Sequence, residues 1–297
     1  IVSDKDGVMY EAHQRGGQIE VFKSLDGGLS WESTGVPQVS GASRFRPSLV
    51  VGNDKVYMFF TERTTGVSYI AYMEYDGTNW FYRGSVSNEP NYNQTDVDVA
   101  IDSNGRIMAV WTGFDEDNKE KEQIKGALIS NGNITPFNIS NISGFKQTSP
   151  TVVARNNTFY TFWSGEDDTN EKAQIKMSKF STSWSPWVNI TTNNEGSLGQ
   201  TSPSVTVDRD NNIHLVWVGS TILAQESSQV QYSKSSDGNV WSPVKVISDE
   251  LGYNQQSPNV SASNDGSIFI VWSGRDSNNP IYEQVKYVRI DGDEIEE

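Results

Sequence analysis

A chain of 297 residues with 38 acidic and 23 basic side chains, a formal charge of −15 and an isoelectric point near 4.6 carries no electrostatic footprint for nucleic acid or an anionic membrane surface. The absence of cysteine excludes disulfides and thiolate metal sites, and no apolar run approaches the ~20 residues of a membrane-spanning helix, so membrane insertion is not expected. The first residue is Ile1 rather than Met, which reads as a processed or excised piece of a longer protein, secreted or displayed at the cell surface.

Taken in order, the chain repeats one pattern. It opens on a shortened unit, Ile1-Val-Ser-Asp4 and Val8-Met-Tyr10, followed by Gln18-Ile-Glu-Val-Phe22 and the turn Ser24-Leu-Asp-Gly-Gly-Leu-Ser-Trp31. The second unit runs from Arg44-Phe-Arg-Pro47 to Phe59-Phe-Thr-Glu62, and the third from Gln94-Thr-Asp-Val97 to Val110-Trp-Thr-Gly113 and Gln123-Ile-Lys125. The fourth runs from Gln147-Thr-Ser-Pro150 to Phe162-Trp-Ser-Gly165 and Gln174-Ile-Lys-Met177. The fifth is the clearest. Ser204 to Asp208 alternates as a half-buried strand, Asp208 to Asn212 is a run of turn formers, and Ile213 to Trp217 is β-branched and aromatic. The sixth runs from Gln255-Gln-Ser-Pro258 to Val271-Trp-Ser-Gly274 and Gln284-Val-Lys-Tyr287, and Asp291-Gly292 before Ile295 matches Asp76-Gly77 before Trp80.

Six copies at a period of roughly 50 residues, each with four short strands and none with a 3.6-residue apolar period, predict an all-β fold. The expected architecture is a six-bladed β-propeller of four-stranded antiparallel blades with clipped terminal blades, a single domain over 1–297. Its blades are placed near 1–41, 42–91, 92–144, 145–197, 198–252 and 253–297. Radial stacking lets each sheet cover its neighbour and leaves only short edges.

The turn between third and fourth strands carries a local motif. In Ser24-Leu-Asp26-Gly-Gly-Leu-Ser-Trp31, and in the shorter variants with Asp76 and Trp80 and with Asp237 and Trp241, an Asp carboxylate can cap backbone N–H groups. Glycine accepts the positive φ, and Trp can bury a large face between blades. On these residues the chain resembles the sialidase-like, BNR/Asp-box repeat six-bladed β-propeller superfamily over all six repeats. The resemblance implies that the boxes are structural and lie on the face opposite the functional one.

Alternation places the loop before each first strand and the loop after each second strand on a common top face, where function is expected to gather. Candidate ligand-binding residues there are Arg46, Glu62, Arg63, Asp96, Asp115, Glu166 and Arg275, with Tyr92, Phe145 and Tyr253 as an aromatic set suited to sugar faces. Phe45-Arg46-Pro47 and Glu62-Arg63 are similar to the arginine motif with which sialidases grip a carboxylate. That resemblance implies a Tyr nucleophile paired with Glu and an Asp acid/base. The segment after Arg63, Thr64-Thr-Gly-Val-Ser68, holds no carboxylate, so no catalytic set is assigned.

The loops Phe114 to Asn118 and Glu166 to Asn170 are acidic enough to consider Ca²⁺, although no EF-hand pattern is present and no cofactor is expected. His13, read as a loop residue, and His214, read as a strand residue, stand apart from this set. Sequons occur at Asn93, Asn133, Asn138, Asn141, Asn156, Asn189 and Asn259. Three functions follow: a glycan- or protein-recognition module, a sialidase-type glycoside hydrolase, or a purely architectural surface domain.

Overall fold

In a computed structural model, described over residues 1–87, 89–191, 198–221, 226–248 and 250–292 with the backbone of 294–296, and without the side chain of Glu171, every regular element is a β-strand. The first sheet is β1 (Val2–Ser3), β2 (Met9–Arg15), β3 (Gln18–Ser24) and β4 (Glu32–Ser33). The second is β5 (Ser43–Gly52), β6 (Lys55–Arg63), β7 (Ser68–Tyr75) and β8 (Trp80–Ser85), and the third β9 (Gln94–Ile101), β10 (Ile107–Gly113), β11 (Gln123–Ser130) and β12 (Asn133–Asn138). The fourth is β13 (Gln147–Arg155), β14 (Thr158–Asp167), β15 (Asn170–Phe180) and β16 (Val188–Asn189), and the fifth β17 (Gln200–Val207), β18 (Ile213–Gly219), β19 (Gln229–Ser235) and β20 (Lys245–Val246). The sixth is β21 (Gln255–Ala262), β22 (Ile268–Gly274), β23 (Gln284–Asp291) and β24 (Glu294–Glu296).

Each sheet is an antiparallel meander in chain order, and together they are the six blades of a β-propeller. The shortened opening is visible as the two-residue β1. Contacts divide the chain into two compact units, residues 1–144 and 145–297, each holding three sheets. Within the first unit, Tyr10, Ile19 and Val21 of sheet one pack on Met58, Phe60 and Met73 of sheet two, whose other face packs on Val97, Val99 and Trp111 of sheet three. Within the second, Phe162 and Met177 meet Leu215 and Trp217, and Val216 and Tyr232 meet Val260 and Ile270.

One device recurs at the start of the innermost strand. The indole N–H of Trp111 donates to the amide oxygen of Gln94 at 2.8 Å, Trp163 to Gln147 at 2.9 Å, Trp217 to Gln200 at 2.8 Å and Trp272 to Gln255 at 2.9 Å. The amide nitrogen of each Gln then donates to the carbonyl just past the Trp-x-Gly, at Phe114, Glu166, Ser220 and Arg275, between 2.8 and 3.1 Å. A β-carbon on Gly113, Gly165, Gly219 or Gly274 would collide with that Gln amide. The Gln…Trp-x-Gly repeat is therefore one buried hydrogen-bonded clamp, and its Gly is fixed by close approach rather than by φ.

A β-bulge follows the clamp. Arg46, Asp96, Ser149, Ser202 and Ser257, all in innermost strands, take φ between 52° and 59°. Register shifts in β5, β13, β17 and β21, and across β9–β10, mark the same place. A left-handed non-glycine residue costs on the order of 1–3 kcal/mol, and a bulge re-aims side chains.

The outer strands close in a matching way. The hydroxyls of Ser140, Thr191 and Ser248 donate to Gln123, Gln174 and Gln229 and accept from the N–H of Ile124, Ile175 and Val230. Asn138-Ile-Ser140 and Asn189-Ile-Thr191 thus read as sequons because this cap needs a hydroxyl there; Ser140 and Thr191 are buried.

The Asp turns behave as capping turns. Asp26 accepts from the Ser30 N–H at 2.9 Å and the Ser24 hydroxyl at 2.8 Å, Asp76 from the N–H of Thr78 and Asn79 at 2.8 Å, and Asp237 from Asn239 and Val240 at 2.7 and 2.8 Å. Burial of the accompanying Trp is uneven. Trp80 is buried, stacked on Tyr75 and donating to Thr34 at 2.9 Å. Trp241 packs edge-on against Phe162 and is half-buried, and half-buried Trp31 donates back to Gly28 within its own turn.

Two measurements probe these devices. Gln94→Ala leaves the Trp111 indole N–H buried without its acceptor and should cost about 1–3 kcal/mol in denaturant unfolding. The same change in a Trp111→Phe background should cost less, and strictly additive effects would show that the clamp is not a unit. Hydrogen bonds inside the turns hold the carboxyls of Asp26 and Asp237 at about 2, below the ordinary 3.8. Their stabilisation is complete above pH 3.8 and disappears as pH falls through about 2, so Asp26→Asn/Asp237→Asn should flatten the acid limb of the stability profile in that window.

Candidate functional site

The first unit brings a pair of the sequence-predicted residues together at the strand-start end of sheets two and three. Arg46 in β5 and Asp96 in β9 occupy equivalent bulge positions, and their side chains form an ion pair. Arg46 is 57% exposed and Asp96 33%, so the pair offers hydrogen-bonding groups to solvent. The Arg46 N–H also lies 3.4 Å from the Gln14 amide oxygen, and Ser48 donates to Asp98 at 3.0 Å. Arg63, at the end of β6, is exposed and makes no ion pair among the described residues. Tyr92 donates to Glu116 at 2.5 Å, and Lys119 pairs with the same carboxylate.

The other predicted residue of this region is turned inward. Glu62 is 4% exposed and receives the Arg44 Nε at 2.6 Å, the Tyr69 hydroxyl at 2.5 Å and the Tyr82 hydroxyl at 3.1 Å. Arg44 donates further to the Pro37 carbonyl at 3.0 Å and lies over the rings of Phe60 and Tyr82. Burial and the Glu62 carboxylate push the Tyr69 phenol above its ordinary value, and burial followed by the same charge pushes Tyr82 the same way. A Tyr–Glu pair is therefore present, but its carboxylate is held by Arg44 and its phenols are held protonated. The bulge separates the two arginines: Arg44 faces sheet one, whereas Arg46 reaches Asp96 of sheet three.

Asp115, expected among the ligand-binding groups, is also turned inward. It is 5% exposed, paired with the buried Lys125 and accepting from the Asn118 N–H at 2.7 Å. Asp167 repeats the arrangement with Lys176, whose ammonium also donates to Asn189 at 2.7 Å and lies over Trp187. The two acidic loops offered as Ca²⁺ ligands thus commit their central carboxylates to lysines that the Gln-Ile-Lys repeat delivers. This is a structural role that the repeat made readable but the acidic composition concealed.

In the second unit, Phe145 and Tyr253 are half-buried, and their carbonyls accept from Gln147 at 3.4 Å and Gln255 at 3.1 Å. Glu166 accepts the Lys146 N–H at 3.2 Å, and Arg275, 47% exposed, lies 3.9 Å from Glu283. The histidines fall outside this set but are not isolated. His13 lies in strand β2, not a loop, and sits 2.8 Å from Glu11. His214 is enclosed between Asp208 at 2.9 Å and the Tyr232 hydroxyl at 2.7 Å.

No family model matches the chain, and no curated protein does. Solved structures do resemble it. The Penicillium chrysogenum α-L-arabinanase complexed with arabinobiose matches at a TM-score of 0.60 and 14% identity over 82% of this chain and 80% of that one. A protein of unknown function from Dyadobacter fermentans gives 0.59 and 9% over 84% of each chain. The GH93 α-L-arabinofuranosidase of Fusarium graminearum complexed with arabinobiose gives 0.58 and 12% over 85% and 82%. At these identities the likeness is one of fold, and the fold is the six-bladed β-propeller.

Proposed function

We propose that the protein is a carbohydrate-recognition propeller that binds glycan at the Arg46–Asp96 end of sheets two and three and does not hydrolyse sialosides. The observation that carries this reading is the contrast between two arginines of one strand. Arg44 is locked with Glu62, Tyr69 and Tyr82 inside the packing, whereas Arg46 and Asp96 face solvent from strained bulges. A sialidase-type nucleophile needs a phenol that loses its proton to a free carboxylate, and Glu62 is not free. A solvent-facing guanidinium and carboxylate side by side supply charge-assisted donors and acceptors for sugar hydroxyls. The arabinobiose complexes of two propellers of similar fold support carbohydrate as the ligand class. The same reading includes secretion or display at the cell surface.

Because the Arg46–Asp96 pair is exposed, Arg46→Ala should change stability by less than about 1 kcal/mol, which leaves binding as a clean readout. On a glycan array the wild-type chain should bind a subset of saccharides, and Arg46→Ala should weaken that binding about tenfold or more. Fluorogenic sialosides and arabinosides should stay intact. Turnover that disappears in Asp96→Asn would show an enzyme in which Asp96 carries the proton, and silence on the array would remove the recognition reading.

A further inference from the structure

The hairpin-turn end of sheets two and three, at the far end of β5 from Arg46, holds a cavity of about 600 Å³ that the reading above does not use. Its lining includes Tyr57 and Tyr72, each only 6% exposed, with rings packed in the apolar cluster between the two sheets. Neither hydroxyl has a hydrogen-bond partner among the described residues. Neither hydroxyl is sealed from solvent, so each can exchange a bound water for a ligand oxygen.

The charges beside them define what that acceptor is. Glu74 is shared by Lys55 at 3.1 Å and Arg83 at 2.8 Å. One carboxylate between two cations leaves this trio with a surplus of one positive charge, although the Asp76 carboxylate also feels Lys55. Lys55 is 37% and Arg83 44% exposed, so both reach the cavity mouth, and the guanidinium is steadied over the Phe81 ring. The lining also includes Ile107 and Ile129, both buried, the exposed Ile134, and Asn104 and Asn131. A monoanion, an apolar contact and several hydroxyls are what such walls can satisfy together. The volume falls in the range of roughly 300–1,000 Å³ typical of small-ligand sites.

We propose that this cavity binds a small sugar carboxylate of the uronate class. The carboxylate sits against Arg83 and Lys55, the C–H face of the ring lies on Ile134, and ring hydroxyls accept from Tyr57 and Tyr72.

Isothermal titration of the whole chain with D-glucuronate tests this, with D-glucose, acetate and inorganic phosphate as comparison probes. Glucuronate should saturate at one site, with the three comparison probes about tenfold weaker or more. Arg83→Ala and the double change Tyr57→Phe/Tyr72→Phe, which keeps both rings, should each lower glucuronate affinity about tenfold. Thermal melting of the same variants confirms that they are folded. The proposal fails if glucuronate does not saturate, if acetate or phosphate binds as well, if glucose matches glucuronate, or if both cavity variants bind normally.

Discussion

The amide of the first-strand glutamine is the interaction on which the blades depend. It takes the indole N–H of a buried Trp on one side and gives its own N–H to the carbonyl beyond Gly on the other, so two loops and the sheet core share one buried polar group. A buried amide with all its partners present rigidifies; with one missing it is a liability of about 1–3 kcal/mol. That asymmetry explains why the Gln, the Trp and the Gly travel together in four blades. It also fixes where each innermost strand begins, and hence where the bulge falls two residues later. The clamp does not contact the candidate ligand site, but in sheet three it sets the height at which Asp96 is presented, while in sheet two Arg44 stands in the place of the Gln.

Much of this was legible in the sequence because it repeats. The period, the strand alternation and the Trp-x-Gly ends are local signals, and they led to the six blades. The Asp turns were legible for the same reason, since a carboxylate capping N–H groups two to four residues away needs no tertiary information. What the sequence concealed depends on neighbours distant in the chain. Asp115 and Asp167 look like solvated acids in polar loops, yet a lysine arriving from the next strand draws each of them inside. Glu62 looks like a top-face ligand, yet among the described residues it is the carboxylate paired with Arg44, and an unpaired buried guanidinium would cost far more than the pair. The sequons at Asn138 and Asn189 mislead in the opposite direction. Their third residue is chosen for a hydroxyl that caps β11 or β15, and the Asn oxygen itself accepts from a buried lysine.

Burial separates the ionic pairs into two kinds. Lys125 with Asp115, Lys176 with Asp167 and Arg44 with Glu62 are nearly inaccessible, and each is completed by further hydrogen bonds. Such pairs contribute little net stability over an apolar substitute, but they tolerate no loss of a partner, so they hold loops in one arrangement. Arg46 with Asp96, and Lys55 and Arg83 with Glu74, keep much of their surface in water. An exposed pair is worth at most about 1 kcal/mol, and either partner can exchange it for a ligand at little cost.

The two exposed clusters lie at opposite ends of sheets two and three, and the bulge is what makes the first of them possible. In a regular strand, residues 44 and 46 would share a face, and both arginines would be drawn toward sheet one and Glu62. The left-handed turn at Arg46 breaks that alternation after a single residue, sending its side chain to Asp96 of the next sheet, whose own bulge brings it to the same level. In the second unit the equivalent bulges carry Ser149, Ser202 and Ser257, residues small enough to meet the backbone requirement and nothing more. The strain is common to these five strands; only in the first unit is it spent on charged groups facing solvent. A site that depended on side-chain identity alone could have arisen at any exposed position, whereas this one needs the bulge, which β5 keeps even though Arg44 stands where the other strands carry the clamp Gln.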